Sequence, residues 1–382
     1  MIYFDHAASS WPKPEQVIFT LTQFLRENGA NPGRGNHKMA AIASEAIYAT
    51  RVKIAKLLNV QNPNQIVFFM NTTQALNQAI KGFLKKGDHV ITSHLEHNSV
   101  RRPLEYLRKE LGIEITYVKP NEQSKLQLKE IENAIQSNTR LFVFSHASNV
   151  LGTIQPIKEI GAIAKKNGIA FLVDAAQTVG RYQIDVKEMN IDLLAFPGHK
   201  ALLGPQGVGG LYINPSIELS PLIHGGTGNQ SEKIDQPKAS PNRYESGTLN
   251  TVGIVGLGAG IDYIEQQGIE KLKNREWQLT QYLLKGLEQI PQVKWYGPDL
   301  HIERVPVVSL QIEGHDSNEV ATVLDSHYQI AVRSGFHCAP LAHEICHTES
   351  SGLVRVSLGH TNTEKEIDTL LNALKEIISL MM

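Results

Sequence analysis

The sequence predicts an α/β protein with a mostly parallel central sheet, helices on both faces of that sheet, and a smaller α/β domain towards the C-terminal end. Between residues 65 and 174, short apolar runs alternate with amphipathic stretches, which is the pattern of successive βαβ units. Two further apolar runs, 191–196 and 207–213, follow without a helical stretch between them. Beyond a long polar segment at 214–250, helical and strand patterns resume and indicate the second domain.

The elements follow in chain order from this pattern. An N-terminal arm (1–14) is predicted to pack with the small domain, the large domain to span 15–255, and the small domain 256–382. In the large domain the periodicity indicates helices at 14–28, 40–58, 73–84, 99–111, 128–135 and 157–167, and strands at 65–69, 89–93, 113–118, 141–145, 169–174, 191–196 and 207–213. In the small domain it indicates helices at 254–267, 269–290, 318–327 and 364–380, and strands at 305–312, 330–333 and 353–358.

The composition excludes several classes of function. The chain has 382 residues, of which 41% are hydrophobic, and its 37 basic residues balance 38 acidic ones to a net charge of −1. Such a balance gives no general attraction for nucleic acid or for an anionic membrane. No apolar run is long enough to span a membrane, and the first residues lack a signal-peptide pattern, so we expect a cytoplasmic protein acting on a small molecule. The two cysteines are not expected to form a disulfide there.

An aspartate and a lysine stand out because they follow apolar strands of the predicted parallel sheet. Asp174 closes the strand at 169–174, and Lys200 follows the strand at 191–196 within a turn that contains Pro197. Ligands of open parallel sheets bind beyond the carboxyl ends of the strands. The pair can be a structural ion pair. It also matches what pyridoxal 5′-phosphate (PLP) needs, which is a lysine to form an imine and an acid to hold the proton on the ring nitrogen.

The run DAAQ (174–177), followed by a strand and by GHKALLGPQGVG (198–209), resembles the class V aminotransferase family. Its members share the aspartate aminotransferase fold, which is fold type I of the PLP-dependent enzymes. The resemblance implies that Lys200 binds PLP covalently and that Asp174, Gln177 and His199 contact the cofactor.

The resemblance extends to other segments that surround the cofactor in this family. MNTTQALNQAI (70–80) would hold the phosphate through Thr72 and Thr73, although such a start is also an ordinary helix N-cap. His97 would stack on the ring and help to move protons, and Asn149 would contact its phenolic oxygen. Thr248, in YESGTLNT (244–251), would reach the phosphate of a second subunit, which implies a homodimer.

One position departs from the family pattern. The family usually has a serine three residues before the lysine, where this chain has Pro197. Proline has no hydroxyl and no backbone N–H, so one phosphate contact must be missing or replaced, for example by water or by Thr227.

A cysteine narrows the expected reaction. VRSGFHCAPLAHE (332–344) resembles the RxGxHCA segment of the type II cysteine desulfurases, a group that includes selenocysteine lyases. The resemblance implies that Cys338 takes sulfur from L-cysteine as a persulfide, leaves L-alanine, and passes the sulfur to an acceptor protein. His337 and Arg333 are expected to lower the pKa of Cys338 as cationic neighbours. The resemblance assigns the substrate to Ala7, Asn149, Arg333 and Arg355.

Other interpretations stay open at this point. The chain could keep PLP and be a selenocysteine lyase, or a β-lyase or aminotransferase that does not need Cys338. It could also be a non-enzymatic partner protein, but such a protein would be expected to lack Lys200, Asp174 or His97. No metal is predicted, although zinc is an alternative for a cluster of closely spaced side chains, namely His337, Cys338, His343, Cys346 and His347. Arg355 could also face solvent on an edge strand, and the sequence assigns no role to His360 or Cys346.

Overall fold

A computed structural model describes residues 1–33, 35–228 and 232–381. Its centre is a seven-stranded sheet in the order β2-β8-β7-β6-β5-β3-β4. The strands of this sheet are β2 (Ile66–Phe69), β3 (His89–Ser93), β4 (Glu114–Val118), β5 (Thr139–Ser145), β6 (Ala170–Asp174), β7 (Leu193–Pro197) and β8 (Gly209–Ile213). Strands β3 to β7 pair in parallel, and only β8 runs antiparallel to its neighbours β2 and β7. The predicted α/β class with a mostly parallel sheet is therefore confirmed.

Helices cover both faces of the sheet because successive strand residues point to opposite sides. In β5, Phe142 and Phe144 join one buried apolar cluster, while Leu141 and Val143 join another. The first cluster also contains residues of α2, α5, α6 and α7, and the second contains residues of α3 and α4. The helices of this part are α1 (Glu15–Glu27), α2 (Lys38–Leu57), α3 (Thr72–Phe83), α4 (Asn98–Leu111), α5 (Leu128–Asn133), α6 (Ile157–Lys166) and α7 (Thr251–Gln267).

A second, antiparallel sheet in the order β12-β13-β10-β9 forms the C-terminal part. Its apolar core combines strands β9, β10 and β13 with the helices α8, α9 and α11. The elements are α8 (Ile269–Leu287), β9 (Val293–Tyr296), β10 (Val307–Ile312), α9 (Ser317–Tyr328), β11 (Ile330–Ala331), β12 (Arg333–Gly335), α10 (Pro340–Cys346), β13 (Leu353–Ser357) and α11 (Glu364–Met381). The sequence pattern missed β9 and α10, and it merged β11 and the start of β12 into one strand.

The N-terminal arm lies against the C-terminal part. Strand β1 (Ile2–Tyr3) pairs in parallel with β11, and Phe4 is fully buried in the second core. Helix α7, which includes residue 255, contributes Ile254, Leu257 and Ile261 to the core of the large sheet. The arm thus reaches from the small sheet towards the edge of the large sheet where the polar strand-end residues lie.

In the described ranges, no helix combines the length and the apolar character required to cross a lipid bilayer.

Candidate active site

One cleft at the carboxyl ends of the parallel strands brings together most of the predicted site residues. The order of the strands explains this, because β3, β5, β6 and β7 are neighbours and each is followed by polar residues. The predicted residues that line the cleft are Ala7, Thr72, Thr73, His97, Asn149, Asp174, Gln177, His199, Lys200, Arg333 and Arg355.

Asp174 and Lys200 lie at the floor of this cleft. Asp174 is buried at the end of β6, where one of its carboxylate oxygens accepts a hydrogen bond of 2.9 Å from the N–H of Ala176. Burial raises the pKa of Asp174, while that N–H and the charge of Lys200 oppose the rise. Burial lowers the pKa of Lys200 to about 8, and the charge of Asp174 partly offsets this shift. The two groups attract one another, but they are not among the ion pairs in the described part of the chain.

His97 begins helix α4 with a defined orientation of its ring. Its Nδ1 accepts a hydrogen bond of 3.0 Å from the N–H of Ser99, so the ring hydrogen lies on Nε2. Burial, followed by the positive charge of Lys200, lowers the pKa of His97 to about 4, so that the imidazole is neutral. The hydroxyl of Ser99 lies 2.8 Å from the same Nδ1 and 2.7 Å from the hydroxyl of Thr73. Ser99 was not predicted as a site residue, because its only signal in the sequence is its place two residues after the histidine.

Thr72 and Thr73 form the first turn of α3, where backbone N–H groups and the helix dipole favour an anion. The side chain of Asn71 caps this helix by accepting a hydrogen bond of 2.9 Å from the N–H of Gln74. Pro197, at the end of β7, offers no hydroxyl. The hydroxyls that line the cleft are instead those of Thr72, Thr73, Ser99 and Ser145.

The N-terminal arm supports the backbone next to Lys200. The carbonyl oxygen of His199 accepts hydrogen bonds from the N–H of Ser10 at 3.0 Å and from Nζ of Lys13 at 3.0 Å. The hydroxyl of Ser10 lies 3.1 Å from the same oxygen, and Lys13 also donates to this hydroxyl at 2.8 Å. Burial lowers the pKa of Lys13 to about 8. None of these arm contacts was expected, because nothing in residues 9–13 indicates a partner so far along the chain.

Arg355 lies on β13, which is flanked by β12 and β10, and it is only 1% exposed. It therefore does not face solvent on an edge strand. One terminal nitrogen donates to the carbonyl oxygen of Asn149 at 3.1 Å, and the other donates to Asp5 at 2.8 Å. Within the described part of the chain, Nε of Arg355 has no partner although it is buried. Asp5 was not predicted as a site residue.

Cys338 does not line the cleft itself; it lies on a four-residue loop between β12 and α10, in contact with Arg333, which does. Its Sγ accepts a hydrogen bond of 3.4 Å from Arg333. Both Cys338 and the preceding His337 have left-handed backbone conformations, with φ of 60° and 49°, which side-chain-bearing residues rarely adopt. Two contacts hold this backbone: the Asn149 side chain donates to the His337 carbonyl at 2.8 Å, and the N–H of Asn98 donates to the Cys338 carbonyl at 2.7 Å.

The expectation that His337 is a cationic neighbour of Cys338 is wrong. The ring of His337 is buried, and its Nε2 bonds to the carbonyl oxygen of Leu353 at 3.0 Å. Burial and the charge of Arg355 lower the pKa of His337 well below its ordinary value, so the ring is neutral. Among the described residues, Arg333 alone supplies a positive charge in hydrogen-bond contact with the sulfur. In contrast, burial raises the pKa of Cys346 to about 11, which keeps that thiol protonated.

Three predicted features lie outside the cleft. Thr248 is exposed and borders a separate depression, together with Met70 and Ile223. His360 contacts the hydroxyl of Tyr263 at 3.3 Å and lines another small depression beneath the arm. Within residues 1–33, 35–228 and 232–381, no group of three or more histidine, cysteine or acidic side chains is placed to hold a metal ion, so the zinc alternative gains no support.

The cleft fits PLP on the evidence of its polar atoms. Buried atoms without a hydrogen-bond partner are uncommon in folded proteins, and in the described ranges three of them belong to side chains that line this cleft. These atoms are Oε1 of Gln177, Nδ1 of His199 and Nε of Arg355. They lie among a lysine, an aspartate and a helix N-terminus, which is the donor and acceptor set that a phosphorylated pyridine aldehyde requires.

The comparisons with known proteins identify the family of this chain. The family model for class V aminotransferases matches residues 2–370, so the chain belongs to the class V aminotransferase family. This family implies PLP as cofactor. A probable cysteine desulfurase of Methanothermobacter thermautotrophicus is 38% identical over 382 residues, with 98% of this chain and 94% of the relative covered. A cysteine desulfurase of Escherichia coli O7:K1 is 35% identical over 392 residues, with 100% and 94% covered. Within the family, the chain therefore falls among the cysteine desulfurases.

Solved structures lead to the same group. The cysteine desulfurase of Thermococcus onnurineus NA1, solved in an apo form, superimposes with a TM-score of 0.92 at 34% identity, covering 99% of this chain and 94% of that one. The cysteine desulfurase CsdA from Escherichia coli, solved as an S-sulfonic acid, gives a TM-score of 0.89 at 27% identity with the same coverage. Fold type I is thus confirmed.

Proposed function

We propose that this chain converts L-cysteine to L-alanine with PLP as cofactor, takes the sulfur onto Cys338 as a persulfide, and delivers it to an acceptor protein. The observation that carries the proposal is the position of Cys338. A cysteine on a short, anchored loop lies beside Arg333, which lines the same cleft that contains Lys200 and Asp174. The sulfur would serve iron–sulfur clusters or other thio-cofactors in the cytoplasm.

The cofactor would be held by residues from five strand ends. Asp174 and Lys200 would hold the ring nitrogen and the aldehyde end, and His97 would stack on the ring. Thr72 and Thr73 would bind the phosphate, while Asn149, Gln177 and His199 would supply further polar contacts. When bound, PLP supplies an electron sink that stabilises negative charge next to the substrate amino group.

Arg355 would bind the carboxylate of L-cysteine. Its contacts with Asp5 and Asn149 fix the plane of the guanidinium, and its unpartnered Nε is available for a new acceptor. A guanidinium with a free N–H edge matches a carboxylate in bidentate fashion. Ala7 and Arg333, which line the same cleft, would complete the substrate contacts.

Lys200 would move the proton of the substrate. Because its pKa is lowered to about 8, roughly a tenth of the amine is unprotonated at pH 7, far more than for an ordinary lysine, and can accept a proton at Nζ. His97 is neutral with its hydrogen on Nε2, so it can donate a hydrogen bond from that atom without adding a second positive charge to the cleft.

Cys338 would then accept the sulfur. The S–S bond forms between Sγ of Cys338 and the sulfur of the substrate as the Cβ–S bond of the substrate breaks. The electron pair of the broken bond stays with the carbon skeleton, and that carbon takes up a proton to give L-alanine. The two sulfur atoms are oxidised and the carbon is reduced, so no outside oxidant is needed. Arg333 is suitably placed to neutralise the charge on Sγ.

The direct test compares Cys338→Ala with Cys346→Ala. We expect Cys338→Ala to retain PLP, as judged by visible absorbance, and to release alanine about 10³-fold more slowly or worse, because the nucleophile is lost. Cys346→Ala should match the wild type, since its thiol is half-buried and protonated. Mass spectrometry after one turnover should find one added sulfur on the Cys338 peptide.

Two outcomes would contradict the proposal. The added sulfur could be found on Cys346, or alanine could accumulate in Cys338→Ala at the wild-type rate. The second result would make the chain a β-lyase that does not use a protein thiol. If it occurred with L-selenocysteine alone, the chain would be a selenocysteine lyase.

We also propose that the active form is a homodimer. Exposed apolar side chains are concentrated on the outer faces of α1 and α2 and near Thr248, where solvent contact is unfavourable. They are Ile18, Phe19, Leu25, Met39, Tyr48, Val52, Met70 and Ile223. A second subunit packed on this surface would cover them, and Thr248 would be able to reach the partner's cofactor phosphate.

A further inference from the structure

Glu96 is a buried acid for which the proposed reaction has no use. It lies between β3 and His97, it is 1% exposed, and it takes part in none of the ion pairs found in the described ranges. Its carboxyl group accepts hydrogen bonds from the Ser93 hydroxyl at 2.6 Å, the Ser145 hydroxyl at 2.7 Å and the Ser145 N–H at 3.0 Å and 3.1 Å. Two serine hydroxyls and one backbone N–H thus hold the carboxyl group in place.

Ser145 connects this acid to the cleft. It is the last residue of β5, it lines the cleft, and it is directly opposite Asp174 in the register of β5 and β6. Residues opposite one another in neighbouring strands direct their side chains to the same face of the sheet. The hydroxyl that bonds to Glu96 therefore lies beside the carboxylate that we assign to the cofactor.

The protonation state of Glu96 is set by opposing effects. Burial, and then the negative charge of Asp174 on β6, disfavour the ionised form, whereas the three donors from Ser93 and Ser145 favour it. The hydrogen-bond partners of Glu96 on strands β3 and β5 are serines, and the adjacent His97 is neutral. None of these neighbours is a cation that would stabilise the ionised carboxylate of Glu96. The pKa of Glu96 is raised to about 7 as a result.

We propose that Glu96 is a positioning residue whose protonation controls the direction in which the Ser145 hydroxyl donates its hydrogen. When Glu96 is ionised, Ser145 donates to it and presents only lone pairs to the cleft. When Glu96 takes a proton from solvent, that proton is donated to Oγ of Ser145, and the serine hydrogen turns towards the cleft beside Asp174. In this switch only O–H bonds form, break or rotate, and no other covalent bond is altered. The inference rests on the proposed function, because it treats the cleft as the PLP site.

The test uses the holoenzyme without L-cysteine, so that it does not depend on sulfur transfer. Infrared difference spectra between pH 6 and pH 8 should show the C=O band of a protonated carboxyl group, and this band should be absent in Glu96→Gln. The glutamine amide is neutral and can donate to Ser145, so it mimics the protonated acid at every pH.

The dissociation constant of PLP provides a second readout. Glu96→Gln should match the wild type at pH 6 and differ from it by about two- to tenfold at pH 8, the range expected for one redirected hydrogen bond. Ser145→Ala keeps the backbone N–H but removes the hydroxyl, so adding Glu96→Gln to Ser145→Ala should cause no further change at pH 8. If Glu96→Gln does not fold, Ser145→Ala alone tests the proposal. The part of the difference in PLP dissociation constant between pH 6 and pH 8 that this serine causes in the wild type should disappear in the variant.

The proposal is overturned if no carboxyl band titrates between pH 6 and pH 8. It is equally overturned if Glu96→Gln changes PLP binding by the same factor at both pH values, since that result indicates a purely structural role. Failure of the desulfurase assignment would be visible only in the Cys338 experiments, because neither readout here involves substrate.

Discussion

Arg355, to which we assign the carboxylate of the substrate, illustrates how a single buried cation can be held in one orientation. It is almost fully buried, and the carboxylate of Asp5, 2.8 Å away, is its only ionic partner in the described part of the chain. The carbonyl oxygen of Asn149 accepts a second hydrogen bond. These two contacts use separate terminal nitrogens and leave the edge that contains Nε free.

We expect Arg355→Lys to raise the KM for L-cysteine by about 10- to 100-fold and to change kcat only a few-fold. A lysine provides one charged group and cannot bond to Asp5, Asn149 and a carboxylate in the same geometry, and hydrogen bonds to charged groups contribute about 1.5–3 kcal/mol. Steady-state kinetics would measure this, with Arg140→Lys on the surface as the control. An unchanged KM would show that the carboxylate binds elsewhere.

At the scale of elements, the strand ends could be predicted and the contacts between distant segments could not. Asp174 and Lys200 were identifiable because apolar strands followed by polar residues must meet at one edge of a parallel sheet. The bonds from Ser10 and Lys13 to the His199 carbonyl leave no periodic signal, since they join a loop to a loop. The orientation of His337 was mistaken for a similar reason: its neighbour in space is Leu353, and the sequence shows only its neighbour Cys338.

Short elements were missed because their patterns are too brief. Helix α10 has seven residues and β9 has four, so each contains only about two periods of its pattern, too few to separate it from chance. The family resemblance, by contrast, predicted a set of cofactor contacts, and all but one of these residues line a single cleft in the structure. Thr248 is the exception, and a second subunit is what we propose to explain it.

The segment that contains Thr248 provides a test of the dimer. We expect Thr248→Ala to weaken PLP retention by about two- to tenfold, because the phosphate loses one donor, while the KM for L-cysteine stays close to that of the wild type. Dialysis followed by absorbance would measure retention, and light scattering should give twice the mass of the chain. A matched control is Thr322→Ala on the exposed face of α9, which lies outside the proposed dimer surface and makes the same kind of hydrogen bond to its own helix. A fully active monomer would contradict the shared site.

At the scale of the whole molecule, buried histidines make stability depend on pH. Burial lowers the pKa of His97, His146 and His199 to about 4 and that of His6 to about 3, from an ordinary value of 6.5. Each takes up a proton on unfolding in the range between the two values, so its contribution to stability is present above pH 6.5 and is lost as the pH falls towards 4.

Glu96 has a raised pKa, so its effect on the pH dependence of stability has the opposite sign. Its contribution to stability is full below pH 4.5 and is lost as the pH rises through about 7.

We therefore expect the free energy of unfolding to fall between pH 6.5 and pH 4.5, with a net uptake of several protons on unfolding, because these four histidines and His337 outnumber Glu96. Urea denaturation at several pH values would measure the slope. His146→Gln should reduce the slope by about one proton, because this ring is buried outside the cleft, whereas Gln289→Asn on the surface, which removes no titratable group, should leave it unchanged. A slope that is the same in both variants would show that His146 is not protonated on unfolding.

The contacts of the N-terminal arm also have a consequence for the way the protein is made. Asp5 bonds to Arg355 and the N–H of Ala7 bonds to Ser357, each across 350 positions of the sequence. A ribosome that adds about 5–20 residues per second needs roughly 20 to 70 seconds to produce the second partner after the first. During this interval the arm has no strand to bind, although the segments that form the large sheet are already present. The cofactor half of the cleft can thus form on the nascent chain, while the substrate half is completed only when synthesis is almost finished. A chain interrupted before residue 338 would therefore lack both Cys338 and Arg355, the residues that we propose to accept the sulfur and to bind the substrate carboxylate.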